Sequence, residues 1–459
     1  MKPVFDALAG HARTRPDAAA FSDGQRHLTW AGLADAVTAA ADGFRQGSRT
    51  VGLRLSGIDM VVGDLAATLA GCRVVPVPWF FSPAQVSHLL ADAGARLVEA
   101  LPTGAPGALD YAGGAERVIY TSGTTGRPKG VILGDRQIAA SVMGLAQALR
   151  PGPDDRYLSV LPQAQLLEQI CGVFLPILAG AATVISAKAG ASIFTGDGAA
   201  LARIAAKIAP TVTVLAPRQL TLWVAALRAG APAPASLRYV AVGGAPVAPS
   251  LLAEARGLGL PVAEGYGLSE ACSVVALTPP TGAAGSAMQP LAGVGIAIEN
   301  GEMVVSGPTV MQGYLGRDPQ AGPWRTGDLG RIEDGRLLVL GRRDAMILRQ
   351  SGRNIAPEWV EAEALADPAI PAAALVLTGD DELVLVAAAA APVDLAALTA
   401  RLAMLPAYAR PDRLVLADPR GSGLIRPSGT ADRSVAATIA ADPAQAPILL
   451  TYPVEEVAI

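Results

Sequence analysis

Residues 120–130 read YTSGTTGRPKG and follow the apolar segment ERVIY, which predicts a strand. Three glycines, four serine or threonine side chains and Lys129 are concentrated in this short turn. Glycine allows the backbone to approach an anion closely, hydroxyls donate to phosphate oxygens, and lysine adds positive charge. It is not the Walker A pattern, because Pro128 precedes Lys129 and Gly130 follows it. The stretch therefore predicts a phosphate-binding turn directly after a strand.

The sequence before this turn alternates between helix and strand patterns. Such alternation implies parallel strands that are connected by crossover helices. The predicted helices span residues 33–44, 59–69 and 85–93, and the predicted strands begin at Arg49, Arg73 and Ala95.

The middle of the chain repeats the same pattern. Strands are predicted to begin at Asp155, Ala181, Pro210 and Leu237, with an apolar helix between the first two and a helix after each of the last two. A series of β–α units of this length predicts a large doubly wound region.

After about Gly282 the pattern changes to short antiparallel strands. The dipeptides Asn300–Gly301 and Asp334–Gly335 are hairpin signals. A smaller α+β unit is predicted from about Ala345, with helices at 357–365 and 395–402, a strand at 384–391, and Asp394 as a helix N-cap.

These patterns predict an α/β fold in two domains. The first, residues 1–343, is expected to hold doubly wound sheets and a small antiparallel β subdomain, and the second, residues 344–459, is the smaller α+β domain. The chain of 459 residues is 51% hydrophobic and 17% charged, which is typical of a globular enzyme.

Charge and cysteine usage exclude several classes of protein. A net charge of −4 without a basic stripe argues against a nucleic-acid partner. The scattered cysteines Cys72, Cys171 and Cys272 argue for a reducing compartment and against structural zinc. The longest apolar run, from Leu383, is shorter than the roughly 20 residues of a spanning helix, so we expect a cytoplasmic protein without a membrane span.

The turn at residues 120–130 resembles the phosphate motif of the adenylate-forming superfamily of acyl-CoA synthetases, peptide-synthetase adenylation domains and luciferases. Further motifs of that family follow in the same order over nearly the whole chain. The resemblance implies that Thr121 and Lys129 act on the phosphates of ATP. It also implies that the residues between them hold the nucleotide, namely Ser122, Gly123, Thr124, Thr125 and Gly126.

Two motifs resemble the adenine site of the family. The segment VGGAP at 242–246 resembles a loop along one face of adenine, formed by Gly243, Gly244 and Ala245. The segment EGYGLSE at 264–270 implies that Tyr266 stacks on adenine beside Gly267, Ser269 bonds the α-phosphate, and Glu270 holds Mg²⁺. An aromatic face suits a purine and a hard cation favours carboxylate oxygen. The family usually has threonine where Ser269 stands.

The motifs that follow resemble the ribose site and the hinge. In WRTGDLG, residues 324–330, Asp328 is expected to accept hydrogen bonds from both ribose hydroxyls. In GRRD, residues 341–344, Arg342 is expected to reach the ribose and Asp344 to be the hinge of a mobile C-terminal lid domain. The segment SGRNIAPEWVE, 351–361, resembles the start of that domain.

One stretch bears on the substrate. The segment from Tyr157, YLSVLPQAQLLEQICGVF, resembles the form of a motif found in long-chain acyl-CoA synthetases, which usually has histidine where Gln165 stands. This resemblance favours an apolar acid. The other interpretation is a buried helix that carries an incidental glutamine.

The last family motif departs from its pattern. Relatives carry a catalytic lysine where this chain has Thr430, within GLIRPSGTADR, and no lysine follows Lys207. Loss of a cation aimed at developing charge costs about 10²–10³ in rate. One possibility is that Arg426 or Arg433 substitutes for the lysine. A second is that adenylation is slow, or that the enzyme is tuned to the second half-reaction, attack by the thiol. A third is that the chain binds ATP without adenylating an acid.

The resemblance implies ATP-dependent activation of a carboxylic acid as acyl-AMP, with Mg²⁺, and transfer to the thiol of CoA or of phosphopantetheine on an acyl carrier protein. One alternative is an adenylating enzyme with an amine acceptor. The other is a catalytically impaired ATP-binding homologue that lacks the C-terminal lysine.

Overall fold

A computed structural model describes residues 1–121, 128–279, 288–379, 381–426, 429–442 and 445–452. The helices are α1 (Lys2–Thr14), α2 (Trp30–Arg45), α3 (Gly57–Leu69), α4 (Pro83–Ala93), α5 (Asp135–Leu149), α6 (Leu166–Glu168), α7 (Leu175–Ala179), α8 (Ala187–Gly190), α9 (Ser192–Thr195), α10 (Gly198–Ile208), α11 (Pro217–Arg228), α12 (Pro249–Gly257), α13 (Pro357–Leu365), α14 (Leu395–Ala403) and α15 (Arg433–Ala441).

The strands are β1 (Ala19–Ser22), β2 (His27–Thr29), β3 (Thr50–Leu53), β4 (Arg73–Pro76), β5 (Arg96–Val98), β6 (Glu116–Thr121), β7 (Lys129–Gly134), β8 (Arg156–Ser159), β9 (Ala182–Ile185), β10 (Val212–Leu215), β11 (Tyr239–Gly243), β12 (Val262–Leu268), β13 (Ser273–Leu277), β14 (Gln289–Pro290), β15 (Gly295–Glu299), β16 (Glu302–Ser306), β17 (Gly313–Tyr314), β18 (Trp324–Glu333), β19 (Arg336–Arg342), β20 (Ile347–Leu348), β21 (Asn354–Ile355), β22 (Ala372–Leu377), β23 (Leu383–Ala388), β24 (Arg413–Ala417) and β25 (Ile448–Leu449).

Two large sheets form the body of the molecule. The first has nine strands in the order β14-β13-β12-β11-β10-β8-β9-β1-β2, and its inner strands β9, β8, β10, β11 and β12 run parallel. The second has six strands in the order β17-β7-β6-β4-β3-β5. Apolar residues of α2, α3, α5 and α7 share one hydrophobic core with strands of both sheets. The predicted doubly wound region is confirmed.

A four-stranded antiparallel sheet, β15-β16-β18-β19, follows. Both predicted hairpin turns are confirmed, since Asn300 and Gly301 have φ of 52° and 79° and connect β15 to β16. Asp334 and Gly335, with φ of 49° and 74°, connect β18 to β19. The change to antiparallel pairing was predicted too late in the chain, because β13 already pairs antiparallel with β12.

The C-terminal part contains the sheet β22-β23-β24-β25, on which α13 and α15 pack, and α14 packs against α13. Asp394 caps α14 as predicted, because its side chain accepts a hydrogen bond from the Ala397 amide. Sequence analysis missed β22, β24 and α15.

Two local predictions need correction. Lys129 was predicted to lie in a turn, but it is the first residue of β7 and pairs with Thr121 of β6. The apolar helix predicted between β8 and β9 is interrupted, because Gln169–Phe174 form a π-helical turn between α6 and α7. Within the described ranges, no helix is long and apolar enough to cross a membrane.

Candidate active site

A cavity of about 1500 Å³ opens where the parallel strands β10, β11 and β12 end. The carboxyl ends of parallel strands are where open α/β sheets bind ligands. The predicted residues that line this cavity are Gly243, Gly244, Ala245, Tyr266, Gly267, Ser269 and Thr430. Gly244 has a φ of +89°, which favours glycine and explains the sharp turn after β11.

A chain of hydrogen bonds extends from the cavity wall to the predicted hinge. The Tyr266 hydroxyl donates to Asp328 Oδ2 at 2.5 Å. Arg342 Nη1 donates to Asp328 Oδ1 at 3.0 Å, and Arg342 Nε donates to Asp344 Oδ1 at 3.2 Å. The structure thus places four predicted residues from three separate motifs in direct contact.

Burial shifts the pKa values of the side chains that form these hydrogen bonds. It raises the pKa of Asp328, although the hydrogen bond from Tyr266 and the charge of Arg342 act in the opposite direction. The pKa of Tyr266 is also raised, first by burial and then by the neighbouring Asp328 carboxylate. For Arg342, burial acts to lower the pKa, but Asp344 and Asp328 outweigh it and the pKa is raised. Asp328 is therefore a buried acceptor whose charge depends on its two donors.

A second group of contacts joins the two large sheets. Lys129 Nζ lies 5.6 Å from the centroid of the Tyr314 ring, and the Tyr314 hydroxyl donates to Glu270 Oε1 at 2.8 Å. The 3₁₀ turn that holds Glu270 is tied down because the Met311 amide donates to the Glu270 carbonyl at 2.8 Å. Lys129 and Glu270, which belong to different motifs, are thus connected through one tyrosine.

Tyr314 is the residue that sequence analysis missed. It lies in β17, which pairs with β7 at the edge of the six-stranded sheet, and its ring also contacts Trp324 edge-on at 5.8 Å. Burial and the Glu270 carboxylate raise the pKa of Tyr314. The sequence offered one signal for this residue, a tyrosine between Gly313 and Gly316. An ordinary turn can have the same pattern, so the signal does not identify a site residue.

The predicted phosphate-binding residues Ser122, Gly123, Thr124, Thr125 and Gly126 lie outside the described residues. The residues that flank them, Thr121 and Lys129, are held opposite each other by the β6–β7 pairing.

The carboxylate chemistry fits a nucleotide-bound Mg²⁺. In the described ranges no three His, Cys, Asp or Glu residues are grouped as a metal site. Mg²⁺ is commonly held by one or two carboxylates together with substrate phosphates, so Glu270 alone is a suitable protein ligand.

Thr430, the residue at which the sequence analysis expects the family's lysine, also borders the cavity. Thr430 is exposed there, and its carbonyl accepts a hydrogen bond from the Arg426 amide at 2.8 Å. Arg426 forms an ion pair with Asp432 at 3.1 Å, and Arg433 forms one with Glu361 at 2.5 Å. Both arginines that could replace the lysine therefore have carboxylate partners in this arrangement.

Gln165 lies at the start of α6 and lines the cavity with an exposed side chain. The helical segment that follows is buried, as the second interpretation expects, and a role of Gln165 in acid binding stays a prediction.

Comparison with known proteins places this site in context. Residues 8–109 and 117–315 match a family model described as AMP-binding enzyme. A 2-succinylbenzoate–CoA ligase of Bacillus licheniformis is 29% identical over 415 residues, covering 79% of this chain and 84% of that protein. A feruloyl-CoA synthase of an Amycolatopsis species is 30% identical over 420 residues, covering 80% and 83%.

Solved structures share the fold. The o-succinylbenzoate CoA synthetase of Bacillus subtilis with its acyl-adenylate intermediate has a TM-score of 0.77 at 24% identity, covering 96% of this chain and 98% of that one. The same enzyme with ATP and magnesium ion has a TM-score of 0.75 at 25% identity, covering 90% and 95%.

Proposed function

Because this chain belongs to the AMP-binding enzyme family, we propose that it is an ATP-dependent acid–CoA ligase. It activates a carboxylic acid as acyl-AMP and then transfers the acyl group to the CoA thiol. One observation carries this proposal: the Gly243–Ala245 turn and Tyr266 border one cavity, and Tyr266 is hydrogen-bonded to the Asp328–Arg342 pair.

The first half-reaction is an in-line displacement at phosphorus. A carboxylate oxygen bonds to the α-phosphorus of ATP, and the bond from that phosphorus to pyrophosphate breaks. In the proposal Tyr266 and Asp328 fix the nucleoside, Ser269 donates to the α-phosphate, and Thr121, Lys129 and the turn at 122–126 hold the leaving phosphates. Mg²⁺ bound to Glu270 would neutralise phosphate charge when present.

The second half-reaction is acyl transfer. The thiol loses its proton, its sulfur bonds to the acyl carbon, and the bond from that carbon to AMP breaks. In the proposal residues 344–459 form a lid that rotates about Asp344 between the two steps. The relatives named above are CoA ligases, which supports CoA as the acceptor over a carrier-protein phosphopantetheine.

A second function is favoured by one specific observation. Arg426 and Arg433 form ion pairs with Asp432 and Glu361, and the resemblance to the family implies a lysine where this chain has Thr430. A chain in which no cation reaches the reacting carboxylate would bind ATP and turn it over slowly. An impaired ATP-binding homologue is therefore the second candidate.

Pyrophosphate release over a panel of carboxylic acids, with ATP and Mg²⁺, tests the proposal. We expect release that depends on one class of acid, followed by AMP and acyl-thioester formation only when CoA is added. Lys129→Ala is expected to abolish turnover. Tight ATP binding by calorimetry without release for any acid would support the second candidate instead, and product formed only with an amine would identify a different acceptor.

The proposal includes a cytoplasmic location. Cys72, Cys171 and Cys272 are buried and free in the structure, and unpaired thiols are typical of reducing compartments.

A further inference from the structure

We propose that the cavity continues behind the nucleotide site as an apolar channel for the unbranched aliphatic chain of a medium- to long-chain carboxylic acid. This inference rests on the proposed function and names its substrate class.

One wall of the channel is a face of the nine-stranded sheet. Alternate residues of two neighbouring strands line the cavity, Val212 and Val214 on β10 and Tyr239, Ala241 and Gly243 on β11. Side chains alternate between the two faces of a strand, so these residues share one face. From Gly243 to Tyr239 the wall extends over about 13 Å at about 3.3 Å per residue.

Ala241 shows that packing covers this face only in part, because Ala241 contacts the hydrophobic core and also lines the cavity. It lies in the middle of β11, between β10 and β12. Strands in such a position are normally covered on both faces of the sheet, so their side chains are buried. Its neighbours Val240 and Val242 are buried at 0% and 1% exposure, whereas Ala241 keeps intermediate exposure. Free space therefore lies beside the Ala241 side chain, and the small size of this methyl group leaves that space open.

The opposite wall is apolar as well. It is formed by Leu145 and Leu149 of α5, Cys171 of the π-helical turn and Leu175 of α7. The two tyrosines that line the channel direct their hydroxyls to protein acceptors, Tyr157 to Glu168 Oε2 and Tyr239 to the Thr278 carbonyl, both at 3.1 Å. The channel thus presents mainly apolar surface to a ligand.

An ion pair lies at the far end of the channel. Arg238 donates to both oxygens of Asp155, at 2.7 and 2.6 Å, and Asp155 also accepts from the Thr211 hydroxyl and the Gly152 amide. Since Arg238 is already paired with Asp155, it is not available to bind a second carboxylate at this end.

The channel has the length of an alkyl chain on the order of ten carbons. Because each buried methylene contributes favourable transfer free energy, acid specificity is expected to rise about fourfold per added methylene until the channel is filled. The named relatives act on aromatic acids, so this assignment separates the chain from them.

Pyrophosphate release with a series of straight-chain acids, from butyrate to hexadecanoate, tests the assignment. We expect kcat/KM to rise with chain length and to exceed the values for ferulate, indoleacetate and o-succinylbenzoate. Preference for any of these aromatic acids, or for the shortest acids, would overturn the assignment while leaving the proposed function intact.

Ala241→Leu places a larger side chain in the channel, at the middle of β11, and should block it. Its activity with dodecanoate is expected to fall at least tenfold, which is about the effect of lost burial of two methylenes. Its activity with butyrate should remain. Ala148→Leu is the matched control, because Ala148 is exposed on α5, the helix that carries Leu145 and Leu149.

Calorimetry with dodecanoate separates the channel from catalysis. Binding by the wild type that is lost in Ala241→Leu and kept in Ala148→Leu would support the channel even if no acid released pyrophosphate, in which case only the proposed function fails. Equal binding by all three proteins, or no binding at all, would overturn the channel.

Discussion

At the scale of single residues, Asp328 is the centre of the hydrogen bonds that connect Tyr266 to Arg342 and Asp344. Its side chain is buried, and its two oxygens accept from two different donors, Tyr266 and Arg342. An acceptor in a buried site is costly to leave without a donor. The protonation state of Asp328 therefore depends on Tyr266 and Arg342 as well as on its burial.

Tyr266→Phe keeps the ring and removes one donor to Asp328. Because the hydrogen bond from Tyr266 lowers the pKa of Asp328, its loss should raise that pKa further and favour the protonated form, a poorer acceptor. Hydrogen bonds to charged groups are worth about 1.5–3 kcal/mol, so calorimetry should show ATP binding weakened about tenfold, and more at lower pH.

Tyr111→Phe is the matched control for this substitution. Its hydroxyl donates to Asp135 at 2.5 Å, a bond of the same kind outside the cavity lining. ATP affinity should be unchanged in this variant. Equal weakening in both variants would contradict the role assigned to Tyr266.

Thr430→Lys places a cation at the position where the resemblance to the family predicts a lysine. If the rest of the site is competent, the initial rate of acid-dependent pyrophosphate release should rise about 10²-fold or more, because charge develops at the reacting oxygens. Thr430→Met adds similar length without charge and should not change the rate. Equal rates for the two variants would show that the missing charge is not what limits adenylation.

At the scale of elements, the π-helical turn Gln169–Phe174 holds a buried carboxyl group against the channel wall. Glu168 is fully buried and accepts from the Tyr157 hydroxyl, and a Cβ at Gly172 would collide with its carboxylate. Burial raises the pKa of Glu168 to about 8, although its hydrogen bonds act to lower it. The turn is thus tightly packed around an acid that is largely protonated at neutral pH.

This shift predicts how stability depends on pH. Above the unfolded pKa of 4.5, the folded state keeps a proton that the unfolded state releases, so stability falls until the pH passes about 8. Glu168→Gln removes this titration, and its thermal unfolding midpoint should rise relative to wild type as pH increases over that window. The exposed Glu333→Gln should show no such trend, and parallel curves for wild type and Glu168→Gln would contradict the prediction.

At the scale of the whole molecule, α13 attaches the C-terminal part to the first part of the chain. Ala362 and Ala366 are buried in one cluster with α11 and α12. The Thr221 hydroxyl donates to the Leu365 carbonyl at 3.0 Å, and Arg218 Nη2 donates to the Pro368 carbonyl at 2.9 Å. This contact covers one side of the cavity, because Ala362 and Leu365 also line it.

Arg218→Ala should loosen this attachment. Carbonyls left without a donor cost about 1–3 kcal/mol, so the C-terminal part should detach more often. Limited proteolysis between β19 and α13 should be several-fold faster than in wild type. Arg228→Ala is the control on the same helix, since Arg228 pairs with Glu254 within the first part. Equal cleavage rates in the two variants would mean that Arg218 does not hold the attachment.

The boundary between residues 343 and 344 stays a prediction at this scale. A 3₁₀ turn at Arg343–Ala345 follows β19 directly, which is compatible with a hinge at Asp344. The proteolysis experiment above reports on the same segment.

Much of the fold could be predicted because its signals are local. The hairpin dipeptides at Asn300 and Asp334 and the cap at Asp394 depend on residues within a few positions of each other, and each is confirmed. The π-helical turn could not be predicted, because helical periodicity does not distinguish it from an α-helix of the same length.

The order of most elements and the motif that contains each proposed site residue could be predicted from the sequence, since hydrophobic period, turn chemistry and motif spacing are local patterns along the chain. The contacts of Tyr314 with Lys129 and Glu270, and the position of Ala241 at the cavity wall, are set by the folding of the whole molecule. Those contacts join residues far apart in the chain, and they depend on which sheet faces are left uncovered after packing, a property that no local pattern carries.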